Sequence, residues 1–205
     1  MPASRVTGAP DAAPGTAAPV PSEFLEVVAA LSALRVRPEI ELSELPAPQR
    51  LAPHAHAIAA TVHDTVTDIE IGSGRFVILY DPEGVASWGG TLRFVIFATC
   101  DVEGEIARDP LLPDVGWSWL TESLDGCGAE HTALGGTVTA TSSVRFGDIA
   151  GTERSDDVEI RASWTGVEGP WARHLAAFTG LLAVAAGLPP EGVAPIGPIR
   201  PGSRA

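Results

Sequence analysis

Apolar positions recur along this chain in two rhythms, one near 3.6 residues and one of two residues. Phe24, Val27, Val28, Leu31 and Leu34 repeat at helical spacing. Ser22 stands where an N-cap belongs, Arg35 and Arg37 suit the negative end of the helix, and Pro38 stops it. Ile40 and Leu42 then alternate with Glu39, Glu41 and Ser43, which predicts a strand. A proline-dense connection over 46–53 leads to a second strand around Ile58, Ala60 and Val62. Residues 67–81 predict a hairpin that turns at Gly72-Ser73-Gly74, and Asp81-Pro82-Glu83-Gly84 predicts another turn. Leu92, Phe94, Ile96, Ala98 and Cys100 share one face of the next strand. Its other face has Val95 and Phe97 between Arg93 and Asp101, so a central strand covered on each side is expected.

The rhythm becomes helical again at 114–126, between Asp114 as N-cap and Gly126 as terminator. Trp117, Leu120 and Leu124 form a stripe there, with Trp119 about 200° away around the helix. Trp117 is therefore expected in the core, while Trp119 needs a loop, a tail or a partner to cover it. Two alternating segments follow. Val138, Ala140, Val144 and Phe146, with Val158, Ile160, Ala162 and Trp164, are expected to face inward. Their threonine-rich opposite face reads as a solvated sheet surface. The last helix opens at Gly169-Pro170 and ends at Gly187. Trp171, Leu175, Phe178 and Leu182 make one stripe, but Leu181, Val184 and several alanines fill the other sides, so something must cover it nearly all round.

The resulting order is helix, four or five strands, helix, two strands, helix. That is an α+β class with a mostly antiparallel sheet of about six to seven strands and three helices. The domain is expected over 22–188, between a Pro/Ala-rich disordered tail at 1–21 and a Pro/Gly-rich tail at 189–205.

Composition narrows the functions. The chain has 205 residues and a net charge of −13, and all 13 of its basic residues are arginine. A field of that sign repels phosphate backbones and anionic membranes, so neither nucleic acid nor membrane is an expected partner. No apolar run is long enough to span a bilayer, and no signal peptide is recognisable at the start, so the expected compartment is the cytoplasm. Cys100 and Cys127 lack metal-ligand spacing and are expected as free thiols.

The candidate chemistries are incomplete. His54 and His56 fall on one strand face with ligand-like spacing, but Ala60 and Thr61 stand where a cupin-like site needs a carboxylate, so no metal is expected. Gly116-Trp117-Ser118-Trp119 lacks the final glycine of a nucleophile elbow, because Leu120 follows. Gly72-Ser73-Gly74 precedes a strand rather than a helix, which disfavours a phosphate loop. Asp156, Asp157, Glu103 and Glu105 read as loop charge. No catalytic set and no cofactor motif emerges.

Five segments carry a family resemblance: RPEIELSELPAPQRLAPHAHAIAA, DPEGVASWGGTLRFV, DPLLPDVGWSWLTESL, VEIRASWT and AAGLPP. Together they resemble the actinobacterial family known as domain of unknown function 3000, across about residues 22–190. The resemblance assigns no reaction and no catalytic residues. The element order is also similar to the secretion-chaperone-like fold, which implies by analogy a peptide-binding module. The expected function is thus a non-catalytic module that binds a protein, a peptide or a second copy of itself, with Trp119, Leu181 and Val184 as contact residues. The rival is a small-molecule enzyme or binding protein whose site gathers Arg50, His54, His56 and Trp119.

Overall fold

The structure is a computed structural model that describes residues 19–151 and 154–191. Its elements run α1 (Ser22–Ser32), β1 (Ile40–Leu45), β2 (His54–His63), β3 (Glu70–Val85), β4 (Gly90–Asp101), α2 (Leu112–Gly126), β5 (His131–Ser143), β6 (Ser155–Gly166) and α3 (Ala172–Ala185). The six strands form one sheet in the order β1-β2-β3-β4-β6-β5, with every neighbouring pair antiparallel. The expected α+β class and element order hold. The tails expected at 1–21 and 189–205 lie, for 1–18 and 192–205, outside the described residues. No helix among the described residues is long and apolar enough to cross a membrane.

The helices lie on one face of the sheet. Alternation decides which face: Ile58, Ala60 and Val62 of β2, Phe76, Ile78 and Tyr80 of β3, every second residue of β4 from Leu92 (Phe94, Ile96, Ala98, Cys100) and every second residue of β6 from Val158 (Ile160, Ala162, Trp164) point to the helices and are buried. α3 runs through the middle of the helix layer, against β3 and β4, with α1 and α2 beside it. Leu175, Phe178, Leu181 and Leu182 are each 0% exposed, so the apolar girth of α3 is covered by this chain itself. Leu181 therefore has no free surface, whereas Val184 is 48% exposed. Phe178 packs its ring 5.6 Å from Phe76, which lies 5.3 Å from Phe94.

Gly72 and Gly74 sit inside β3 rather than at a hairpin tip; the chain reverses at 64–69 instead. A Cβ on Gly74 would lie 2.6 Å from the Phe97 carbonyl oxygen and 2.8 Å from the Phe178 ring. Gly74 thus admits Phe178 of α3 close to the sheet and Gly72 makes room for the Cys100 side chain, packing roles that sequence alone confuses with a turn. The expected turn at 81–84 is likewise an irregularity within the β3–β4 ladder, between Tyr80 and Val85, and the reversal comes at 86–89.

Helix ends also depart from expectation. Pro21, not Ser22, occupies the N-cap of α1, and α1 ends at Ser32, well before Arg35 and Arg37. Arg37 instead pairs with Glu39 at 2.9 Å and holds its carboxyl down to about 2. α2 begins two residues before Asp114, at Leu112, and continues through Gly126. Its terminator is Gly128, at φ +60, where Ala129 N–H donates to Leu124 and Gly128 N–H to Asp125, a Schellman ending. Gly187, at φ +71, ends α3 in the same way, as expected.

The stripe α2 buries is Leu112, Gly116, Leu120 and Leu124, spaced by four. Trp117 and Trp119 flank this stripe, and both are half-buried against the core, so Trp117 is not the core residue expected. β5 is an edge strand, so its inward positions are poorly covered. Val138 is half-buried, Ala140 is exposed, and Val144 and Phe146 fall beyond the strand at 53% and 77% exposure. Asp156 is no loop charge either: it is buried in β6 and ties Ser142 and Arg154 to that strand.

Candidate binding face

Among the described residues, no layer of helices covers the second face of the sheet. β4 is central, as expected, yet Val95 and Phe97 on this side are only half-buried, which corrects the expectation of cover on both faces. Register places Arg75, Phe97, Arg161 and Thr137 side by side on β3, β4, β6 and β5. The adjoining row is Val77, Val95, Ser163 and Gly135. Around them lies a shallow depression of about 660 Å³, lined among others by Arg75, Val95, Phe97, Gly135, Thr137 and Arg161.

The absence of side chains on β5 hollows this depression. Gly135 is paired with Ser163, so a side chain there would project onto the open face, and its Cβ would meet nothing within 4 Å. Three arginines border the apolar floor. Arg161 stacks its guanidinium 5.3 Å from the Phe97 ring centroid and forms an ion pair with Glu159 at 2.7 Å. Arg93 donates to Ser163 Oγ at 2.7 Å, and to Thr165 Oγ1 and the Ala133 carbonyl at 3.0 Å each. Its partners are neutral, and burial lowers its pKa, so a half-buried charge has hydrogen bonds but no counter-ion among the described residues. Arg75 has no ion-pair partner among the described residues. The opposite end of the face is acidic: Asp101 and Asp157 pair across β4 and β6, and burial followed by that neighbour raises the Asp101 pKa. The open face thus runs from positive to negative along the strands.

The residues singled out from sequence do not converge. Arg50 is exposed in the connection before β2, at φ +70. His54 packs its ring 5.7 Å from Phe24 and 6.2 Å from Tyr80, whose hydroxyl donates to Glu23. His56 lines a cavity of about 340 Å³ with Leu31, Leu34, Val36 and Leu42, and its buried Nε2 has no partner among the described residues. Val184 borders an adjoining groove of about 380 Å³, which shares Leu34 and Val36 with that cavity and adds Leu188. Trp119 sits on α2, which packs on β5 and β6. β2 and β5 are separated by three strands, so four strand spacings, about 19 Å, divide His54 and His56 from that end of the sheet. Among the described residues no three His, Cys, Asp or Glu side chains group as metal ligands. Cys100 and Cys127 are free, and burial pushes the Cys100 thiol up to about 12.

Sequence reading passed over Arg75, Phe97, Gly135 and Arg161. Their signal was present in the two-residue alternation, where arginine and phenylalanine occupy outward positions. The missing information was which strands are neighbours, since the row crosses four strands that are far apart in sequence.

Fold and face together define a one-sided α+β protein with a solvent-open antiparallel sheet. The chain belongs to the family described as protein of unknown function (DUF3000), whose family model matches residues 20–194. No curated protein and no solved structure matches it.

Proposed function

We propose that this chain is a non-catalytic module that docks an acidic, partly apolar segment of a partner protein on the open face of its sheet. The observation that carries this reading is the charge of Arg93 and Arg75, unpaired among the described residues, beside a half-buried apolar floor in a chain of net charge −13. An arginine without a carboxylate in so acidic a molecule favours an anion supplied from outside. The depression is shallow and open, which suits side chains presented on a protein surface better than an enclosed small molecule. Val95 and Phe97 supply apolar contact, and Arg161 stays stacked on Phe97.

The test uses a fluorescent synthetic peptide of alternating glutamate and phenylalanine, with a lysine–phenylalanine peptide as control. Fluorescence anisotropy should show binding of the acidic peptide alone. Gly135→Leu, at a position where a Cβ meets no neighbour within 4 Å, puts a side chain into the depression and should weaken binding by about tenfold or more, as should Arg75→Ala. Equal affinity of the wild type and Gly135→Leu for the acidic peptide would refute docking at this face.

A further inference from the structure

The two edges of the sheet are built differently. β1 is six residues long and carries Glu41 and Glu44, both exposed. β5 is thirteen residues long. From Thr132 to Val144 it has neither a charged side chain nor a proline. Edge strands are normally guarded by charge, proline or brevity, because their unpaired N–H and C=O groups are a template for another strand. β1 is guarded in that way. β5 has a register irregularity between Thr132 and Gly135, and the rest of its edge is regular.

Apolar surface continues this edge. Val144, Phe146 and Ile149, just beyond β5, are 53%, 77% and 74% exposed. Ile106, in the short 3₁₀ turn packed against β5, is 46% exposed. These exposed apolar side chains, interspersed with the exposed Arg145 and Asp148, lie beside the open strand edge and suit a contact surface.

We infer that β5 pairs antiparallel with β5 of a second copy of this chain, joining two sheets into one of twelve strands. Charge selects that occupant. Two chains of net charge −13 repel over most of their surfaces, and the neutral run 132–144 lets them meet without opposing like charges. A partner recognised by its charge has nothing to grip there. Thirteen residues supply about 44 Å of edge. Symmetry closes the assembly. A two-fold axis perpendicular to the sheet uses both β5 edges at once and leaves the guarded β1 edges outside, so the product is a dimer and not a filament. The same axis puts both open faces on one side, with each Gly135–Thr137 wall next to its copy. This inference stands on the edge and its flank, and does not depend on what docks at the open face.

Sedimentation equilibrium of the full chain at micromolar concentration should give twice the monomer mass. The double variant Ala140→Lys, Phe146→Ser changes two exposed residues outside the depression and should raise the dimer dissociation constant by about 100-fold or more. Its circular dichroism should match the wild type. Hydrogen exchange of the wild type gives an independent reading, because β5 amides facing away from β6 should gain protection as concentration rises. A wild type that stays monomeric would overturn the inference, as would a dimer whose β5 amides exchange at the same rate at every concentration. Should the double variant fail to fold, the exchange measurement on the wild type decides.

Discussion

His174 is fully buried, stacked 4.3 Å from Phe94, and its Nδ1 accepts the indole N–H of Trp164 at 3.0 Å. The ring proton is thereby placed on Nε2, which is buried without a partner among the described residues. Burial, and secondarily the nearby His131, lowers the His174 pKa to about 4. The unfolded chain therefore takes up this proton near pH 6.5, while the folded chain resists until about pH 4. Stability from this group is complete above pH 6.5 and falls as pH drops, by about 1.4 kcal/mol per unit across that window. Urea unfolding between pH 7.5 and pH 4.5 should show the slope, and His174→Gln, which keeps an acceptor but does not titrate, should remove it. A slope unchanged in the variant would assign it to other groups. Gly74 makes a second expectation at this scale. With the Phe97 backbone and the Phe178 ring already in place, Gly74→Ala should destabilise by about 1–3 kcal/mol in the same assay.

α2 shows how an element can be foreseen while its orientation is not. Its existence follows from the spacing of Leu120 and Leu124, but the buried stripe passes through Gly116, which touches Val138 of β5. A glycine carries no hydrophobic signal, so Trp117 stood in for it in the sequence reading and the stripe was rotated. Leu120→Ala, at a site 0% exposed, should cost about 2–5 kcal/mol, and more than Trp117→Ala, since the half-buried indole leaves less of a cavity. Comparing their denaturation midpoints checks the order. The same limit applies to the strands. β4 and β6 were legible because both are internal and alternate strictly. β5 alternates equally well, yet its inward residues are exposed because the strand lies at an edge. Edge position depends on β6 inserting between β4 and β5, a long-range choice that periodicity does not encode. The open-face row was hidden for the same reason.

For the whole molecule, salt acts in opposite directions on the two proposed contacts, because one meets the net charge of −13 and the other is made by local arginines. Pairing of two acidic copies is opposed by their mutual field, whereas attraction of an acidic segment to Arg75 and Arg93 is local. Raising ionic strength from about 0.01 M to about 0.15 M shortens the Debye length from about 30 Å to about 8 Å. The dimer should therefore tighten with salt while the acidic peptide binds more weakly. Sedimentation and anisotropy across that range measure the two trends. Trends of the same sign would mean that at least one contact is not of the kind inferred.

The central position of α3 also bears on how the protein is made. It is the last of the described elements to be synthesised, yet Phe178, Leu181 and Leu182 fill the middle of the helix layer. Until it emerges, Phe76 and Phe94 have no ring of α3 against them. At ordinary elongation rates β4 waits on the order of ten seconds for that cover. The newborn chain thus spends this interval with a greasy sheet exposed on the ribosome, and its demand for chaperones is set by the order in which its parts arrive, not by the stability of the finished fold.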